Sequence, residues 1–198
     1  MPLLSHLKDS AIAADRMAND SETSRCLFAI ADTITEALKH DRRIYVVGNG
    51  GSAADAQHIA AEFIGRFQDK HPGRIPLPAM SLCTDSSVLT ALANDYSFSR
   101  VYRRQVDALG KPGDILWCLS TSGESPNIVE AAIGARELRM RVIGFTGRAR
   151  SKLGAAAHLC WRAPSDDTAV IQQCHMIAYH AIIGDVEENL ALLWHNDA

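Results

Sequence analysis

The chain has 198 residues, 47% of them hydrophobic and 22% charged, with a formal net charge of −3. That is enough chain for one domain with a substantial core, and the mildly acidic balance gives no electrostatic basis for binding nucleic acid, which needs clustered positive charge. No stretch approaches a membrane span and the N-terminal MPLLSHLKDS lacks the apolar core of a signal peptide, so a cytoplasmic protein is expected.

In chain order, Leu4, Leu7, Ala11 and Ala14 share one face of a first amphipathic helix that breaks near residues 19–21. Leu27, Ile30, Ile34 and Leu38 mark a second helix ending before Asp41. Both precede the first strand, so they must cap a sheet or pack on another subunit.

Ile44, Tyr45, Val46 and Val47 form an apolar run without polar alternation, as expected of a strand covered on both faces. It empties into Gly48, Asn49, Gly50 and Gly51, then a helix in which Ser52 and Asp55 read as an S-x-x-D capping box. Residues 68–78 form a polar connector with Pro72, Pro76 and Pro78. A second strand over 79–83 leads to the loop of residues 84–87, a short helix over 88–93 that Asn94 and Asp95 break, and a further helical segment over 99–109. After a turn at Pro112, Gly113 and Asp114, a third strand spans 115–119 and a helix 128–138, with strands four and five over 142–145 and 158–162. A long helix from Thr168 to about residue 193 closes the chain.

Strands alternating with helices indicate an α/β three-layer sandwich on a five-stranded parallel sheet. Ligands of such sheets bind beyond the C-terminal strand ends, where the strand order switches. Two loops fall there: the glycine loop of residues 48–52, whose helix N-terminus suits a phosphate, and the hydroxyl-rich S-T-S-G-E-S of residues 120–125. A tight turn and a serine cap that bind nothing are the plain alternatives. His58 and Glu62, four apart on the helix above the glycine loop, share a face and could reach one metal ion or one substrate. The five cysteines, Cys26, Cys83, Cys118, Cys160 and Cys174, are widely spaced with no C-x-x-C pair, and read as buried thiols.

The loop also fits G-x-G-x-x-A, but a nicotinamide fingerprint needs an acid at the end of the second strand about 20 residues on. Asp69 has the count in a proline-flanked connector, and Asp85 has the place but lies 37 positions from Gly48.

GNGGSAADAQHIAAEFIGRF, TDSSVLTALANDY, STSGESPNI and DDTAVIQQCHMIAYH, in this order, resemble the phosphoheptose isomerases of the sugar isomerase (SIS) domain superfamily over nearly the whole chain. The resemblance implies a single SIS domain over 1–198 with flavodoxin-like strand order, residues 1–40 serving for capping or oligomerisation. It implies a homotetramer with active sites between subunits, converting the phosphosugar sedoheptulose 7-phosphate to D-glycero-D-manno-heptose 7-phosphate for envelope polysaccharides such as lipopolysaccharide. It implies one zinc ion per subunit held by His58, Glu62, Gln172 and His180, with Glu62 as base and His180 as acid. Substrate contacts would come from Asn49, Gly50, Gly51, Ser52, Glu62, Asn94, Asp95, Ser120, Thr121, Ser122, Ser125 and Gln172. On a straight helix Gln172 and His180 are about 12 Å apart along the axis and about 80° around it, so spacing alone does not pair them. His175 falls on another face and reads as structural or interfacial. Glu124, Val170 and Gln173 depart from the family pattern, as does the loop after Gly147 without its usual glycine pair. A non-enzymatic SIS regulator and an isomerase of another phosphosugar are the competing functions.

Overall fold

Ile44–Val47 forms β1, and all four of its residues are buried because helices cover both faces of the sheet. The structure, a computed structural model, describes residues 2–68 and 74–194. Around β1 it sets α1 (Pro2–Asn19), α2 (Ser21–Lys39), α3 (Gly51–Ile64), β2 (Ala79–Ser81) and α4 (Ser86–Asp95). A 3₁₀ turn at Phe98–Arg100 leads into α5 (Val101–Leu109), β3 (Ile115–Leu119), α6 (Pro126–Glu137) and β4 (Arg141–Thr146). The last elements are α7 (Lys152–Ala156), β5 (Leu159–Arg162) and α8 (Thr168–Trp194).

All strand pairs are parallel and the order is β2-β1-β3-β4-β5. The order therefore reverses between β1 and β3, and both loops singled out in the sequence leave the sheet at that switch. Alternate strand residues serve different layers. Ile44, Val46, Ile115 and Trp117 face α2, α3 and α8, whereas Tyr45, Val47, Leu116 and Cys118 face α5, α6 and α7.

Three expectations need correction. The first helix exists, but Leu4, Leu7 and Ala11 are exposed and Ala14 only half-buried; α1 buries Ala13 and Met17 instead, because it docks on α8 and α2 by its C-terminal half. Ser52 is not a cap: Gly50 occupies that position without a side-chain bond, and Ser52 and Asp55 are both buried within α3. The loop after Gly147 contains a short helix, α7, whose N-cap Ser151 accepts from Gly154 N–H. The 68–78 connector is irregular where described, and Pro72 lies outside the described residues.

Candidate active site

The glycine loop turns so tightly that a Cβ on Gly48 would come within 2.2 Å of Ser52 O, and Gly50 sits at φ 55°, where side chains are strained. Tyr102 Oη donates to Gly48 O at 2.6 Å and fixes the end of β1. Asn49 is locked by a reciprocal amide pair with Asn127, at 2.9 and 2.8 Å, so the first turn of α6 is tied to the glycine loop. This places the 120–125 loop beside it.

Within that second loop, Ser120 Oγ accepts from Gly123 N–H at 3.1 Å and donates to Ser125 Oγ at 3.3 Å, while Ser122 is exposed. Glu124 turns to α7: it accepts from Lys152 N–H and pairs with Lys152 Nζ, both at 2.9 Å. Those bonds hold its carboxyl below the usual carboxylate range, and the lysine offsets a charge that would otherwise oppose a phosphate.

About two and three turns along α3, His58 and Glu62 face each other, with His58 Nε2 2.9 Å from Glu62 Oε1. His180 of α8 joins them, its ring 5.1 Å from that of His58, and one ligand atom from each of the three lies within 4.8 Å of the others. Burial lowers the pKa of His180, the neighbouring His58 pushes the same way, and Glu62 opposes them. Two imidazoles and a carboxylate are the donor set of open catalytic zinc sites. His58 Nε2 and Glu62 Oε1 are moreover two potential acceptors at hydrogen-bond distance, an arrangement that needs a proton or a cation between them. The residues therefore fit a divalent ion.

The α3 end of this cluster is anchored from below. Arg74 donates to the α3 carbonyls of Gly65 and, at 2.9 Å, Glu62. Its Nε lies 2.7 Å from Glu187 Oε1 of α8, with both side chains 1% exposed. That contact is out of line for a hydrogen bond, and acts as a charge pair clamping α3 to α8.

Gln172 lies two turns before His180, at the other end of the site: a Cβ on Gly51 would stand 2.6 Å from its Nε2. Asn94 and Asp95 are exposed at the end of α4, Asn94 donating to Asp95 at 2.9 Å. His175 is wholly buried, its Nε2 3.2 Å from Thr146 O, which makes it a core histidine. Val170 is core, and Gln173 reaches His6 of α1 at 3.1 Å.

Sequence reasoning missed Tyr179, Asn127 and Arg74, and misassigned Asp55. Tyr179 Oη is 3.0 Å from His58 Nδ1, and burial first and the nearby Asp55 carboxylate second push its phenol pKa up. Its signal was adjacency to His180, which has no meaning until α8 is laid against α3.

Comparison with known proteins gives one family. Residues 11–147 match the SIS domain. A phosphoheptose isomerase of Bradyrhizobium sp. strain BTAi1 is 45% identical over 188 residues, 95% of this chain and 93% of that protein. Among solved structures, the phosphoheptose isomerase of Neisseria gonorrhoeae superposes with a TM-score of 0.87 at 37% identity, covering 94% of this chain and 97% of the other. That of Francisella tularensis gives 0.88 at 32% identity, with the same coverage.

Proposed function

This chain belongs to the SIS domain family, among its phosphoheptose isomerases, and on that premise we propose that it interconverts sedoheptulose 7-phosphate and D-glycero-D-manno-heptose 7-phosphate through an enediol, as a cytoplasmic homotetramer. The observation that carries the reading is the gathering of His58, Glu62 and His180 beside two phosphate-suited loops at the strand-order switch.

The phosphate is held by the N-terminus of α3, where Gly50 and Gly51 present backbone N–H groups while Ser52 N–H donates to Asn49 O at 3.0 Å, and by the hydroxyls of Ser120, Thr121, Ser122 and Ser125. Asn49, Gln172, Asn94 and Asp95 are the further polar contacts assigned to the sugar. Anchoring far from the reacting carbons orients C1 and C2 between α3 and α8. Glu62, one of whose oxygens faces His58, takes the proton from the carbon beside the carbonyl. His180 returns a proton to the neighbouring oxygen, and each such transfer contributes about 10²–10⁴-fold. Zinc held by His58, Glu62 and His180 would polarise the carbonyl and stabilise the oxyanion as it forms. Gln172, packed against Gly51, is assigned both to that ligand set and to the substrate.

Glu62→Gln tests the base directly. Turnover of sedoheptulose 7-phosphate should fall by about 10²–10⁴-fold with the circular dichroism spectrum unchanged. Turnover within a few-fold of the parent enzyme would remove Glu62 from the chemistry.

A further inference from the structure

Glu62 stands in the last turn of α3, where a helix leaves carbonyls without intrahelical partners. No basic residue lies in that turn, and Gly65, which caps it, has φ −81° rather than the left-handed conformation that often closes a helix. The connector after α3 supplies the missing donors. Leu77 N–H donates to Phe63 O at 3.0 Å, while Arg74 donates through Nη2 to Glu62 O at 2.9 Å and through Nη1 to Gly65 O. A cation there also suits the negative end of the helix dipole.

The guanidinium is itself fixed from α8. Its Nε lies 2.7 Å from Glu187 Oε1, with both side chains shut away from solvent. Burial lowers the pKa of Arg74, while the carboxylates of Glu187 and then Glu62 raise it. Glu187 follows His180 by seven residues, so it lies on nearly the same face of α8, about 10 Å further along. The two helices therefore meet at three levels: Gln172 against Gly51, His180 against His58, and Glu187 reaching the end of α3 through Arg74. Glu62 stands between the last two.

We propose that Arg74, anchored by Glu187, is a positioning residue that pins the last turn of α3 to α8 and so holds Glu62 in register with His180 and the sugar carbons. This rests on the role given to Glu62 above. Displacing a reacting group by about 1 Å can cost about 10²-fold in rate.

Arg74→Met alone would strand a buried carboxylate and destabilise the whole protein, so two other variants separate placement from stability. Arg74→Met paired with Glu187→Leu removes both charges, a change that buried ion pairs tolerate, and its denaturation midpoint should stay near that of the parent. Arg74→Lys keeps a positive charge for Glu187, but an ammonium lacks the planar fork that serves two carbonyls and a carboxylate at once. In each variant, kcat for sedoheptulose 7-phosphate should fall about 10²-fold with KM unchanged. Amide hydrogen exchange should quicken over residues 61–65 and not in the first turn of α3. A pair that served stability alone would leave kcat unmoved at a parental midpoint. Parental kcat in either variant, with Glu62→Gln inactive, would overturn the proposal, and should the double variant not fold, Arg74→Lys decides alone. If Glu62→Gln keeps its turnover, the base role falls instead, and unchanged exchange over 61–65 would then overturn the hold of Arg74 on that turn as well.

Discussion

His175 is sealed from solvent: its ring lies 5.4 Å from that of Phe145 and 6.0 Å from that of Trp161, with Nδ1 unpartnered. Burial pulls its pKa from the usual 6.5 down to about 4, with the hydrogen bond to Thr146 O pulling weakly the other way. The unfolded chain therefore binds a proton on this residue at higher pH than the folded protein does. Its contribution to stability is complete above pH 6.5 and is lost as the pH falls toward 4, by about 3 kcal/mol in all. Denaturant unfolding followed from pH 7.5 to 4.5 should show that decline. In His175→Gln, whose amide can still donate to Thr146 O but cannot titrate, the slope over this window should flatten, and an unchanged slope would place the titrating group elsewhere. Which histidines serve the site was only half legible in sequence. The i,i+4 spacing joined His58 to Glu62, but His180 stands on another helix, and only the resemblance selected it over His175. Asp55 was misread because three-residue spacing after a serine looks like a capping box. Its side chain is buried near Tyr179, a residue 124 positions away that no local pattern reveals.

Among the elements, β3 spans the residues read from the sequence, and β1 does too, because a fully covered parallel strand is a continuous apolar run with a sharp end. α2 was legible for a related reason: Ile30, Ile34 and Leu38 point into the core and are buried. α1 was not. Its regular stripe predicts a buried face, yet Leu3, Leu4, Leu7 and Ile12 are 50–69% exposed in one chain. An apolar helix face left in water is costly unless another surface covers it, and the proposed homotetramer supplies one. Leu4→Glu combined with Leu7→Glu should therefore lower the mass measured by light scattering from that of a tetramer to a smaller species, with the far-ultraviolet circular dichroism per residue retained. A tetramer that survives both substitutions would take α1 out of the interface.

At the scale of the whole molecule, the parallel sheet and its 2-1-3-4-5 order bring together groups distant in sequence. The glycine loop after β1 and the hydroxyl loop after β3 become neighbours because β1 and β3 pair, and Asn49 and Asn127, 78 positions apart, seal the contact. The long C-terminal helix then lays Gln172 by the glycine loop and His180 by His58, so one helix spans the site from its phosphate end to its cation end. Alternating strands and helices in the sequence were sufficient to expect this architecture. The Arg74–Glu187 clamp beneath the site was not, since a buried ion pair between an irregular connector and a helix leaves no periodic trace. Among the described residues no helix is long and apolar enough to cross a membrane.

The central claim is that this crevice moves a proton between adjacent carbons of a phosphosugar, and the most direct test is to incubate the zinc-loaded protein with sedoheptulose 7-phosphate in deuterated water and follow the sugar by NMR. The account predicts an aldoheptose 7-phosphate carrying solvent deuterium at C2, because a proton taken by a carboxylate partly open to solvent exchanges before it is returned. Absence of both product and exchange with this substrate would contradict the assignment, whereas exchange with a shorter phosphosugar alone would retain the enediol chemistry while overturning the heptose.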